Sequence, residues 1–156
     1  IDLKKGDIQI IQSGSGISHS EAINKDSAIF QIWLDPNLEK TLYCSPNYKD
    51  YSKEDFLTTG NKKVLIGGGS PLKVEAEGIE MFELNVKENF TMKLNKGNYY
   101  SIYVLSGNPT INNSNIEKDD FIKIKGEQEL VINSNGETKL FCIISPEKVS
   151  YPTYSI

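Results

Sequence analysis

Apolar and polar residues alternate along most of this chain, which is the pattern of half-buried β-strands. In the first third, the alternation predicts strands at residues 8–10 and 30–34, and residues 17–23 are a candidate continuation as a strand. A glycine-containing insert at residues 12–16 lies between the two predicted strands and predicts a turn or a bulge. Farther along, the pattern predicts a succession of short strands at residues 72–76, 79–86, 90–94, 99–106, 110–111, 121–124, 129–132 and 139–144.

Turn-forming residues separate these later strands, at residues 95–98, 106–109, 112–115 and 134–136. The pair Asn135-Gly136 predicts a type I′ hairpin between the strands on either side of it. Residues 43–48 predict an extended loop, and Ser52 at the start of residues 52–55 predicts a short helical turn. Because the short strands come with almost no helical period, we predict an all-β chain folded as an antiparallel sandwich or barrel.

The composition narrows the class of protein. Of the 156 residues, 38% are hydrophobic and 10% are aromatic, which indicates a globular chain. The net charge of −4, with lysines scattered among acidic residues, predicts no direct binding of nucleic acid. No apolar run approaches the length of a membrane-spanning helix, so we predict no membrane contact. Cys44 and Cys142 lie far apart, and we interpret them as free thiols of a cytoplasmic protein.

His19 is the only histidine of the chain, and Glu21 follows two residues later. If residues 17–23 form a strand, both side chains point to the same face, because strand side chains repeat every second residue. An imidazole and a carboxylate on one face are two ligands that a metal ion could use. The alternative is that His19 is a hydrogen-bonded structural residue. A nucleophilic pair with Ser18 or Ser20 is not expected, since neighbouring strand residues point to opposite faces.

Three runs in this region resemble the pirin-like protein family: Gly6-Asp7-Ile8-Gln9, Ser13-Gly14-Ser15-Gly16-Ile17-Ser18-His19-Ser20-Glu21 and Phe30-Gln31-Ile32-Trp33-Leu34. They look like the second half of the conserved N-terminal barrel of these proteins, which are bicupins built from two jelly-roll barrels. Family members hold one metal ion, usually iron, with three histidines and one glutamate. The resemblance implies that His19 and Glu21 are the later pair of these ligands.

The earlier pair of ligands comes, in the family, from a His-x-His motif on preceding strands, and this sequence begins without that motif. Three imidazole ligands cannot come from one histidine, so we expect this chain by itself to bind iron weakly or not at all.

A weak internal repeat extends the resemblance to the rest of the chain. Residues 119–124 and 140–146 echo residues 6–11 and 30–36. In the later copy, Leu130, Val131 and Ile132 stand roughly opposite the run that contains His19 and Glu21, which predicts a second barrel that cannot bind metal in the same way. We therefore predict cupin jelly-roll barrels: an incomplete N-terminal cupin with its linker at residues 1–59, and a complete C-terminal cupin barrel at residues 60–156.

Two functions follow as expectations. The resemblance implies a metal-dependent dioxygenase of quercetin-like flavonols, with His19 setting the geometry of the metal and Glu21 as a ligand and catalytic proton acceptor. The alternative is a non-catalytic, redox-sensing or protein-binding cupin that acts as a partner of transcription factors. Because an incomplete barrel exposes strand edges, we also expect self-association or a protein partner.

Overall fold

The computed structural model describes residues 2–154, which divide into two compact units. Within the described residues, the first unit contains residues 2–53, 74–77 and 150–154, and the second contains residues 54–73 and 78–149. The units therefore interleave along the chain. The assignment of residues 1–59 to a partial cupin barrel and of residues 60–156 to a complete one stays a prediction.

The second unit is built from two antiparallel sheets. Its strands are β3 (Thr58–Thr59), β4 (Lys62–Ile66), β5 (Glu80–Val86), β6 (Asn89–Lys93), β7 (Asn98–Ser106), β8 (Thr110–Ile111), β9 (Ser114–Asn115), β10 (Phe121–Lys125), β11 (Glu129–Asn133) and β12 (Thr138–Pro146). One sheet has six strands in the order β10-β7-β12-β5-β4-β3, and the other has four in the order β6-β11-β8-β9.

The core of this unit follows from the alternation in the sequence. In β12, Leu140, Cys142 and Ile144 are buried, whereas the side chains between them are only partly buried. Leu130 and Ile132 of β11 are fully buried and belong to the same apolar cluster. Burial of this kind stabilises a fold by about 1.5–3 kcal/mol for each large apolar side chain. The predicted all-β architecture is confirmed.

The first unit contains one small sheet and one short helix. Strand β1 (Ile8–Gln12) pairs antiparallel with β2 (Asn47–Tyr51). The helix α1 (Leu38–Thr41) begins after Asn37, whose side-chain oxygen accepts a hydrogen bond from the backbone N–H group of Glu39 at 3.1 Å. A 3-10 turn at Lys53–Asp55 confirms the helical turn that was predicted after Ser52. No helix among residues 2–154 is long and apolar enough to cross a membrane.

Several predicted local structures of the chain are wrong. Residues 17–23, 30–34 and 72–76 are not strands, although their side chains alternate. A strand needs a neighbouring strand to satisfy its backbone N–H and C=O groups, and the sheets of the described residues include none of these three segments. The echo between residues 30–36 and 140–146 is therefore limited to sequence. Part of the predicted loop at residues 43–48 instead belongs to β2.

The predicted hairpin at Asn135-Gly136 is also wrong, because β11 and β12 lie in different sheets. The type I′ geometry is found elsewhere, at Asn112 and Asn113, whose φ angles are 45° and 67°. These two residues join β8 to β9, where Ile111 pairs with Ser114. Asparagine tolerates this left-handed conformation better than most residues, which allows two successive asparagines to form the turn between paired strands here.

Candidate functional site

His19 and Glu21 lie in a long segment of the first unit, residues 13–37, that has no helix or strand. The expected shared strand face is therefore absent. The two side chains nevertheless approach each other, with His19 Nε2 3.8 Å from Glu21 Oε1. The side chains of His19 and Glu21 are 41% and 38% exposed, so solvent reaches both groups.

The spacing of this pair is compatible with two ligands of one divalent ion. Metal bonds to imidazole nitrogen and carboxylate oxygen are about 2.0–2.2 Å long, so two ligand atoms of one ion lie at most about 4.3 Å apart. The separation of 3.8 Å lies inside that limit. The same distance also allows an ion pair when the imidazole is protonated, which is the structural alternative for His19.

The ligand set within the chain is incomplete. No group of three or more His, Cys, Asp or Glu side chains in residues 2–154 is arranged to hold a metal ion. Two exposed ligands do not fit the four-ligand iron site that the family resemblance implies. An iron site that includes His19 and Glu21 therefore requires ligands from outside the described residues.

The start of the segment is fixed by a close backbone approach. The N–H group of Ser15 donates a hydrogen bond to the carbonyl of Cys44 at 2.9 Å. At Gly14, with φ of 50°, a Cβ atom would lie 2.2 Å from that same carbonyl oxygen, so only glycine fits there. The glycines of the insert at residues 12–16 thus form the predicted turn and dock it onto the loop before β2.

Other candidate residues of the first unit are hydrogen-bonded or exposed to solvent. Gln9 donates a hydrogen bond from its side chain to Asp50 at 2.7 Å, across the sheet formed by β1 and β2. Trp33 is 87% exposed. The thiol of Cys44 is exposed and donates to the carbonyl of Lys40 at 3.2 Å.

The buried core of the second unit is mostly apolar. Leu130 and Ile132 are fully buried in it, and Cys142 is the one cysteine among its buried residues. Burial raises the pKa of the Cys142 thiol to about 12, which keeps it protonated and unreactive at neutral pH. Both cysteines are free, as expected from the sequence.

A polar cluster near the C-terminus has no counterpart among the sequence-based predictions. Ser150, Tyr151 and Tyr154 make hydrogen bonds to Glu77 and Asp35. These partners are separated by 73 to 119 positions in the chain. No local sequence pattern connects residues at such separations, so only the folded chain reveals the cluster.

Comparison with known proteins supports the cupin architecture. Residues 74–143 match the family described as the quercetinase C-terminal cupin domain. A Zymomonas mobilis protein provisionally named quercetin 2,3-dioxygenase is 23% identical over 155 residues, covering 94% of this chain and 64% of its own length. The chain resembles the pirin-like proteins. The predicted resemblance and the cupin jelly-roll class are thereby confirmed.

Solved structures show the same fold in this pirin-like chain. Quercetin 2,3-dioxygenase of Acinetobacter baumannii superimposes with a TM-score of 0.61 at 13% identity, covering 72% of this chain and 43% of its own. The Escherichia coli pirin YhhW, solved in complex with nickel(II), gives a TM-score of 0.57 at 20% identity over 68% of this chain and 46% of its own. The pirin-like chain thus spans 64% of its curated relative and less than half of either solved protein.

Proposed function

We propose that this pirin-like chain is part of a metal-dependent dioxygenase that acts on quercetin-like flavonols. His19 and Glu21 would be two ligands of its metal ion, which we propose to be iron. The observation that carries the proposal is the 3.8 Å approach of an imidazole and a carboxylate in a chain that aligns with the Zymomonas mobilis protein over 94% of its length. When bound, the metal ion would hold the hydroxyl and carbonyl oxygens of the flavonol and activate the substrate toward molecular oxygen.

In this proposal, the two residues have different roles. A neutral imidazole is a strong ligand for first-row transition metals, and Glu21 provides a negatively charged oxygen. The second carboxylate oxygen of Glu21 would be free to accept the proton of a substrate hydroxyl group, as a general base must lie within hydrogen-bonding reach of its proton. The exposure of both side chains leaves room for substrate and for further ligands.

The test uses the natural gene product, purified from the cells that make it, and begins with its intact mass. Metal content is then measured together with quercetin-dependent oxygen uptake. We expect close to one bound metal ion in the wild type, and loss of both metal and oxygen uptake in His19→Ala and Glu21→Gln. Glu127→Gln, which changes an exposed carboxylate of the second unit, is the matched control and should retain both.

A second candidate is a non-catalytic, redox-sensing or protein-binding module, such as a partner of a transcription factor. The incomplete ligand set and the exposed Trp33 favour it. A natural protein with no bound metal and no oxygen uptake would refute the dioxygenase proposal and leave this alternative. We place either activity in the cytoplasm, a proposal supported by the two free thiols.

A further inference from the structure

We propose that residues 150–154 act as a strap that holds the C-terminal end of the segment at residues 13–37. The strap thereby helps to position His19 and Glu21, a consequence that rests on the proposed function. Strap and segment belong to the same unit of the structure, together with residues 74–77, which make hydrogen bonds to both.

The first half of the strap is attached to Glu77. Both the backbone N–H group and the hydroxyl of Ser150 donate hydrogen bonds to Glu77 Oε2, at 2.9 and 2.6 Å. These two bonds lower the pKa of the Glu77 carboxyl, which keeps it ionised and a strong acceptor at neutral pH. The hydroxyl of Tyr151 in turn accepts a hydrogen bond from the backbone N–H group of Glu77 at 3.1 Å.

The second half of the strap reaches the segment itself. The backbone N–H group of Tyr154 donates to Asp35 Oδ2 at 2.5 Å, and the hydroxyl of Tyr151 lies 3.5 Å from the carbonyl oxygen of Asp35. Two residues later, the N–H group of Asn37 donates to the carbonyl of Glu75 at 2.7 Å. Tyr151 therefore bridges residues 74–77 and the end of the segment.

Both ends of the segment are thus anchored, the start by Ser15 on Cys44 and the end by Asp35 and Asn37. Loops longer than about 12–15 residues without helix or strand are uncommon in compact domains and are often functional. Fixing both ends reduces the conformations that the intervening residues can adopt. His19 and Glu21 lie in this interval, so release of one end would loosen their mutual placement.

Tyr151→Phe is the test, because it removes the bridging hydroxyl and keeps the ring. Tyr154→Phe is the matched control, since Tyr154 binds Asp35 through its backbone and its side chain is exposed. Amide hydrogen exchange is measured by NMR for Asn37 and for Ile10 of β1. Loss of one hydrogen bond of about 1 kcal/mol changes a local opening equilibrium by about five-fold. We therefore expect the amide of Asn37 to exchange about 3–10-fold faster in Tyr151→Phe and at the wild-type rate in Tyr154→Phe.

Two results would overturn the strap. One is unchanged exchange at Asn37. The other is an equal increase at Ile10, which would show that Tyr151 stabilises the whole unit and not the end of the segment.

The link to the metal ligands is tested separately, on the natural metal-loaded protein, by the rate of metal loss to a chelator. We expect about three-fold faster loss in Tyr151→Phe than in Tyr154→Phe. Faster exchange at Asn37 without faster metal loss would refute the role of the strap in positioning His19 and Glu21. The anchoring of the end of the segment by the strap would still be supported. A natural protein that holds no metal would refute the proposed function, whereas the exchange measurement would still decide the strap.

Discussion

Gly107 follows β7 and packs directly against Thr138 at the start of β12. We predict that any side chain at this position lowers the free energy of unfolding. A Cβ atom on Gly107 would lie 2.3 Å from Thr138 Oγ1 and 3.0 Å from its Cα atom. The hydroxyl of Thr138 is buried and shares a hydrogen bond with the hydroxyl of Ser134 at 2.7 Å. Gly107→Ala therefore has to displace Thr138 and break this bond.

The magnitude follows from two separate costs. Gly107 has a φ of 89°, and left-handed backbone costs a residue with a side chain about 1–2 kcal/mol. Leaving a buried hydroxyl without its partner costs a further 1–3 kcal/mol or so. We expect Gly107→Ala to lower the free energy of unfolding by about 3–4 kcal/mol. Gly126→Ala is the matched control, with a φ of 79° and no atom within 4 Å of the added Cβ, and should cost only the backbone term.

The assay is urea unfolding followed by circular dichroism of the β-sheet signal, with the hydrogen exchange of β7 and β12 amides as a second probe. Thr138→Ala in the Gly107→Ala background should recover part of the loss, because it removes the clashing Oγ1 atom. With the single variant Thr138→Ala measured as well, this double-mutant cycle isolates the contact between the two residues. Equal destabilisation by Gly107→Ala and Gly126→Ala would show that the close approach to Thr138 carries no cost.

Three further predictions concern single side chains. Asn112→Ala should lower the free energy of unfolding by about 1–3 kcal/mol, because its amide oxygen accepts the hydrogen bond of a part-buried N–H group in β11 at 2.8 Å; unchanged urea unfolding would contradict this. Lys125→Met should raise the pKa of Glu147 toward its ordinary value of 4.5 in an NMR titration, because the hydrogen bond from Lys125 lowers it. The stabilisation from this lowered pKa is present above pH 4.5 and is lost as the pH falls through the folded-state pKa. The free energy of unfolding should therefore fall less on acidification in Lys125→Met than in the wild type. A thiol reagent at pH 8 should modify the exposed Cys44 alone in the native protein and Cys142 only after unfolding; rapid native labelling of both would refute the burial of Cys142.

The alternation of side chains predicted most strands of the second unit. Seven of its ten strands were located in this way, because a strand with one buried face imposes a period of two on its sequence, as at Ile102 and Leu140. The apolar residues at positions 130 and 132 likewise predicted inward-facing side chains, and both are fully buried in the core.

The same alternation failed around Phe30 and His19, because a period of two records which side chains are apolar and not whether a partner strand is present. The strand that pairs with β1 is β2, whose residues lie 35 to 43 positions farther along the chain and begin in the predicted loop region. The Asn135-Gly136 pair failed for the same reason, since turn chemistry is local whereas the assignment of β11 and β12 to different sheets is not.

By itself, the sequence determined the all-β class, the pirin-like resemblance and the identity of the only imidazole, because composition, periodicity and motif are properties of neighbouring residues. Only the tertiary structure decided that His19 and Glu21 approach to 3.8 Å outside any strand. It alone brought Tyr151 to Asp35 across 116 positions. Such contacts depend on the path of the whole chain, which no local pattern encodes.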